Sequence, residues 1–141
     1  MRRNTTFFLA DDDADDRLLM IEAIKTIDPS IEIVESENGQ ELLKTLESQT
    51  VLDGCLIILD MNMPKMNGLE TLSNLRSIPR LASLPTVMLS TSGNPDMIDF
   101  AKKLGALDYY IKPSTMDGLL NLCRQLILGK AGHSDVGIGM L

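Results

Sequence analysis

Tryptophan is absent from this 141-residue chain, histidine occurs once and cysteine only twice. The single histidine, His133, stands close to the C-terminus, so neither histidine nor cysteine competes for the role of a catalytic nucleophile. Cys55 and Cys123 lie far apart within apolar segments, the setting of buried free thiols rather than of a disulfide, and this fits a reducing, cytoplasmic compartment. Basic residues are scarce as well. Thirteen Lys and Arg against 20 Asp and Glu give a formal charge of −7 with no offsetting basic cluster, so no binding to nucleic acid is expected. Long apolar runs are missing too. The run near the N-terminus, residues 7 to 10, ends in a block of acids and is too short for a signal peptide or a membrane span, so neither export nor a membrane partner is expected.

What the chain does contain is a rhythm. Its apolar content of 44% suffices for one core without metal or disulfide staples. Runs at "TFFLA" (6 to 10), "IEIVES" (31 to 36), "CLIIL" (55 to 59), "TVMLS" (86 to 90) and "LDYYI" (107 to 111) read as strands, each followed by a helical pattern. The first helix carries Met20, Ile21, Ile24 and Ile27 on one face, the second Leu42, Leu43 and Leu46, and the third Leu69, Leu72 and Leu75. Asn94 and Pro95 mark the start of the fourth helix, and Gly105 supplies a left-handed C-cap. The fifth is predicted to open at Ser114, with Asp117 answering the cap, and to end near Gly129. Residues 1–129 thus form one domain, and 130–141, rich in glycine, read as a loosely held tail.

Strict strand-helix alternation implies a parallel sheet with helices on both faces, a doubly wound α/β fold, because right-handed crossovers place the helices there. In such sheets functional groups gather beyond the carboxyl ends of the strands. Those ends carry Asp11 and Asp12 after the first strand, Asp60 after the third, Ser90 and Thr91 at the fourth, and Lys112 with Pro113 after the fifth. Three neighbouring carboxylates cannot all stay ionised cheaply, so a proton or a cation must join them. Oxygen donors favour a hard ion, and magnesium, which keeps several waters and accepts phosphate oxygens, fits best. Lys112 would meet another phosphate oxygen and the Ser90 hydroxyl a third, which leaves Asp60, at the middle strand's tip, as the best-placed nucleophile.

These residues, in this order, resemble the receiver domains of two-component response regulators, the CheY-like family. The likeness rests on Asp11-Asp12 after "FFLA", Asp60 in "LDMNMPKMNG", Ser90 in "PTVMLSTS", Tyr109, and Lys112-Pro113 in "YYIKP", and it runs from about Phe7 to Leu128. The resemblance implies a flavodoxin-like five-stranded sheet of order 2-1-3-4-5 with five helices. It implies phosphotransfer from a sensor histidine kinase or phosphotransfer protein to Asp60, and magnesium held by Asp12, Asp60 and the main-chain carbonyl of Asn62, with Asp11 acting partly through water. It also implies a cis peptide before Pro113, a switch made of Ser90 and Tyr109, and output to a downstream protein or by self-association through helix 4, strand 5 and helix 5. On this reading the chain is a stand-alone response regulator and not an enzyme beyond its own phosphorylation and dephosphorylation.

Two other classes are weighed against it. A phosphatase using an aspartyl nucleophile wants an acid two positions on, where Asn62 stands and cannot serve as one. A pseudo-receiver that binds partners without phosphorylation is the alternative, and it would be favoured were any of Asp12, Asp60 or Lys112 missing, but all are present. Departures from the commonest family pattern are Ser90 in place of threonine and Thr91 in place of a smaller residue. Asp13 either adds a negative charge after the metal pair or simply caps the first helix, while Asp15 and Asp16 are read as a solvated acidic run, and Met61, Met63 and Met66 as turn and core filling. Tyr109 and Tyr110 should point to opposite sides of the sheet.

Overall fold

The computed structural model describes residues 5–132. Five parallel strands form one sheet in the order β2-β1-β3-β4-β5, from β1 (Thr6–Ala10), β2 (Glu32–Ser36), β3 (Leu56–Asp60), β4 (Thr86–Ser90) and β5 (Asp108–Ile111). Between and after them lie α1 (Ala14–Ile27), α2 (Gly39–Ser48), α3 (Gly68–Ser77), α4 (Pro95–Lys103) and α5 (Met116–Gly132). This is the flavodoxin/CheY-like architecture.

The sheet divides the core in two because alternate strand residues face opposite ways. On one side Phe8, Ala10, Ile57, Leu59 and Met88 pack with Leu42 and Leu46 of α2, Leu72 and Leu75 of α3 and Ala101 of α4. On the other, Phe7, Leu9, Ile58, Val87 and Leu89 pack with Met20 and Ile24 of α1 and Leu122, Cys123 and Leu126 of α5. Tyr109 joins the first cluster and Tyr110 the second, so the pair splits across the sheet. Burying each such Leu, Ile or Phe side chain contributes roughly 1.5–3 kcal/mol, and β3, with all five residues buried, anchors both layers.

Local chemistry explains the helix starts. Asp13, Asn38, Asn67 and Asn94 each accept backbone N–H bonds from the first turn of α1 to α4, and Asn67 completes a capping box with Glu70. Gly105 adopts φ 96° just past the end of α4, where a side chain would be strained. The start of α5 differs from expectation. Thr115, not Ser114, is the capping residue: its Oγ1 accepts from Gly118 N at 3.0 Å and its carbonyl accepts from Leu119 N at 3.0 Å. Asp117 lies inside the first turn. The helix also continues past Gly129 to Gly132, since Gly129 takes no left-handed conformation that would stop it. The remainder of the predicted tail, from 133 onward and including His133, lies outside the described residues.

Candidate functional site

All the strand ends named above open on one edge of the sheet. Asp60 is the last residue of the central strand β3, only 4% exposed, and is held by the pairing of Met61 N with Leu89 O at 2.8 Å. Beside it on β1, the chain leaves Ala10 into Asp11, whose N–H donates to Ser36 O at 3.1 Å and whose carboxylate accepts from Asp13 N at 2.9 Å. Asp12 is exposed, and its carboxylate, with those of Asp11 and Asp60, offers oxygens that all lie within 4.8 Å of one another. Lys112 follows β5, and its Nζ stands 3.1 Å from Asp11 Oδ2 and 3.4 Å from Asp60 Oδ1.

The loop after β3 brings the backbone close to Asp60. The Asn62 N–H points at Asp60 Oδ1, at a long 3.4 Å, while the Asn62 residue is otherwise exposed. Gly68 N donates to Met61 O at 3.0 Å, folding the loop back, and Lys65 takes φ 66° within it. A Cβ at Gly68 would stand 2.6 Å from Asp60 O and 2.8 Å from Met61 Cα, so only glycine fits. Met61 and Met63 are buried in the core, and the Met66 sulfur accepts from Asn74 Nδ2.

The electrostatics follow from this crowding. Burial first, and then the Asp11 charge, push the Asp60 carboxyl up from 3.8 to about 6, although Lys112 opposes the rise. Burial acts to lower Lys112, but the Asp11 and Asp60 charges and the hydrogen bonds it donates to Asp11 and Asp16 outweigh it and carry the ammonium above the ordinary lysine range. One ammonium thus serves three carboxylates, Asp11, Asp16 and Asp60. A cluster of hard carboxylate oxygens carrying excess negative charge fits a divalent cation with a preference for oxygen.

Ser90 ends β4, 3% exposed, with its Oγ accepting from Ser92 N at 3.1 Å and its carbonyl accepting from Lys112 N at 2.8 Å. Tyr109, on the neighbouring strand, donates its hydroxyl to Ser92 O at 3.1 Å. Thr91 is exposed at the mouth. The expectation for Pro113 is corrected: no cis peptide occurs among the described residues. The trans form is the default even before proline, and Lys112 reaches the carboxylates with it, anchored by its bond to Ser90 O.

Two residues of the site are absent from the sequence-derived set. Its sequence neighbours place Asp16 in a solvated acidic run, yet its Oδ2 lies 3.1 Å from Lys112 Nζ. Arg17 donates to Asp11 O at 2.6 Å and to Glu35 Oε1 at 2.8 Å, tying the Asp11 loop to β2. Their signal is weak in sequence: both are charged residues in the first turn of an amphipathic helix, where most are solvated.

A five-stranded sheet of this order with carboxylates, a hydroxyl and a lysine at one edge defines a receiver, and the family model for the response regulator receiver domain matches residues 7–124. The chain belongs to that family and is a receiver domain of two-component signalling. Among its relatives, chemotaxis protein CheY1 of Helicobacter pylori is 34% identical over 84 residues, covering 60% of this chain and 66% of CheY1, just under two thirds of that protein. Among solved structures, the phosphorylated cyanobacterial phytochrome response regulator RcpA has a TM-score of 0.84 at 28% identity, covering 93% of this chain and 96% of RcpA. The Mn(2+)-bound form of response regulator Rcp1 has a TM-score of 0.74 at 28% identity, over 88% of this chain and 91% of Rcp1. Among the described residues no helix is long and apolar enough to cross a membrane.

Proposed function

We propose that this chain is a cytoplasmic response regulator receiver that takes a phosphoryl group from a phosphohistidine of a sensor histidine kinase or phosphotransfer protein onto Asp60. The observation that carries this reading is the buried Asp60 carboxylate at the centre of the sheet edge, with Lys112 Nζ 3.4 Å away and the Asp11 and Asp12 oxygens within 4.8 Å. An Asp60 oxygen attacks phosphorus, the O–P bond forms as the P–N bond breaks, and the electron pair leaves with the imidazole. Lys112 steadies the added charge on one phosphoryl oxygen and the Ser90 hydroxyl donates to another. Asp11, Asp12, Asp60 and the Asn62 main chain are the groups that would hold Mg2+, which when bound supplies positive charge to the transferring phosphoryl group.

Readout runs through Ser90. When its hydroxyl turns to the phosphoryl group, the Ser92 N–H loses its acceptor, and the loop whose carbonyl holds the Tyr109 hydroxyl is freed to move. The surface altered is that of α4, β5 and α5, where Met97, Phe100 and Ile111 are exposed and available to a downstream protein or a second copy. The test is intact-mass spectrometry after incubation with acetyl phosphate and magnesium. One phosphoryl group is expected on the parent and none on Asp60→Asn; equal labelling of both would remove Asp60 from the role.

A further inference from the structure

We propose that Asp16 is a positioning residue for Lys112, holding its ammonium on the α1 side so that the Asp60 carboxylate stays open to a phosphodonor; this rests on Asp60 being the acceptor. A lysine ammonium has three donors. Two are engaged at 3.1 Å by Asp11 Oδ2 and Asp16 Oδ2, whereas the approach to Asp60 Oδ1 is the long one, at 3.4 Å. Asp16 sits in the first turn of α1, and that turn is itself fixed: Asp13 accepts from Asp16 N at 3.2 Å and Arg17 clamps the Asp11 carbonyl. The Asp16 carboxylate is therefore presented from a rigid element, not from a floppy surface chain. Its pull opposes that of Asp60 across the ammonium.

Without Asp16 the ammonium has only Asp11 and Asp60 to satisfy it, and it closes onto the nucleophile. The pair must then break before Lys112 can turn to a phosphoryl oxygen. Asp16 is not among the three carboxylates whose oxygens converge as a cation site, so its loss removes no ligand oxygen and should cost magnesium much less than loss of Asp12. Asp15, the adjacent acid, is exposed and shares the Asp13 cap through its N–H, but its carboxylate is not one of the three that Lys112 meets, which provides a control of equal charge.

The experiment compares Asp16→Ala and Asp15→Ala in the full chain. Phosphorylation by acetyl phosphate at saturating magnesium should slow about three- to fivefold in Asp16→Ala, as for loss of a partly exposed ion pair, and stay at the parental rate in Asp15→Ala. The Lys112 ζ-nitrogen resonance, read by NMR without any phosphodonor, should shift only in Asp16→Ala, and magnesium affinity should stay at the parental value in Asp15→Ala and fall far less in Asp16→Ala than in Asp12→Ala. An unchanged rate in Asp16→Ala, an equal loss in both variants, or a magnesium affinity lost in Asp16→Ala as fully as in Asp12→Ala would overturn the proposal. Failure of the parent to take up phosphate would instead count against Asp60 as the acceptor, while the ζ-nitrogen signal would still report whether Asp16 holds Lys112.

Discussion

Replacing Asp60 by asparagine should make the metal-free protein more stable, even as it abolishes phosphate uptake. Burial and the neighbouring Asp11 hold the Asp60 carboxyl near 6 instead of 3.8. Between these values the folded protein binds the proton that the unfolded chain has released, so the contribution of Asp60 is fully favourable below about pH 4 and is lost as pH rises through about 6. The separation corresponds to roughly 3 kcal/mol as a ceiling. Asparagine mimics the neutral acid and escapes the loss. In urea denaturation with a chelator at pH 8, Asp60→Asn should have the higher midpoint, by up to roughly 1–2 M for a slope typical of a domain this size. At pH 4 the two midpoints should converge, and saturating magnesium at pH 8 should narrow the gap by stabilising the parent more than the variant. Equal midpoints at pH 8 without metal, or a gap that persists unchanged at pH 4, would refute the reasoning that Asp60 is held charged at a cost.

Asp12→Ala should weaken magnesium binding at least tenfold by calorimetry, since it removes both a ligand oxygen and attracting charge, with little effect on stability because Asp12 is exposed. Ser90→Ala should still accept phosphate, yet beryllofluoride with magnesium should alter hydrogen exchange across residues 90 to 128 far less than in the parent. Gly68→Ala, which drives a methyl to within 2.6 Å of Asp60 O, should destabilise by about 1–3 kcal/mol in thermal melts and lower the phosphorylation rate by displacing β3's end.

Much of this was legible because topology does the gathering. Once strand-helix alternation made the sheet parallel, residues 11, 60, 90 and 112 had to share an edge whatever their separation in sequence, and the observed strand boundaries differ from those read off the sequence by no more than one residue. Asp60 needed only to end the most apolar run. Asp16 was hidden by its neighbours: six residues from Asp11 to Asp16 include five acids, and nothing in the order of side chains says which one faces Lys112 until the phase of α1 is fixed by the Asp13 cap. Thr115 was missed because Ser114 offers the same hydroxyl one residue earlier, and the choice depends on how the chain leaves Pro113. The cis bond came from likeness alone, without a local requirement.

The ion pair between Lys112 and Asp11 spans 101 residues of chain. A nascent polypeptide therefore presents its acidic pair and Asp60 long before the ammonium that balances them has been made. Until β5 docks, the carboxylates of Asp11 and Asp60 repel one another without the Lys112 ammonium between them, and the sheet edge lacks that brace. Competence to receive a signal arrives only with the last strand. If Asp60 is the phosphoacceptor, a phosphorylated molecule is one whose last strand is already in place.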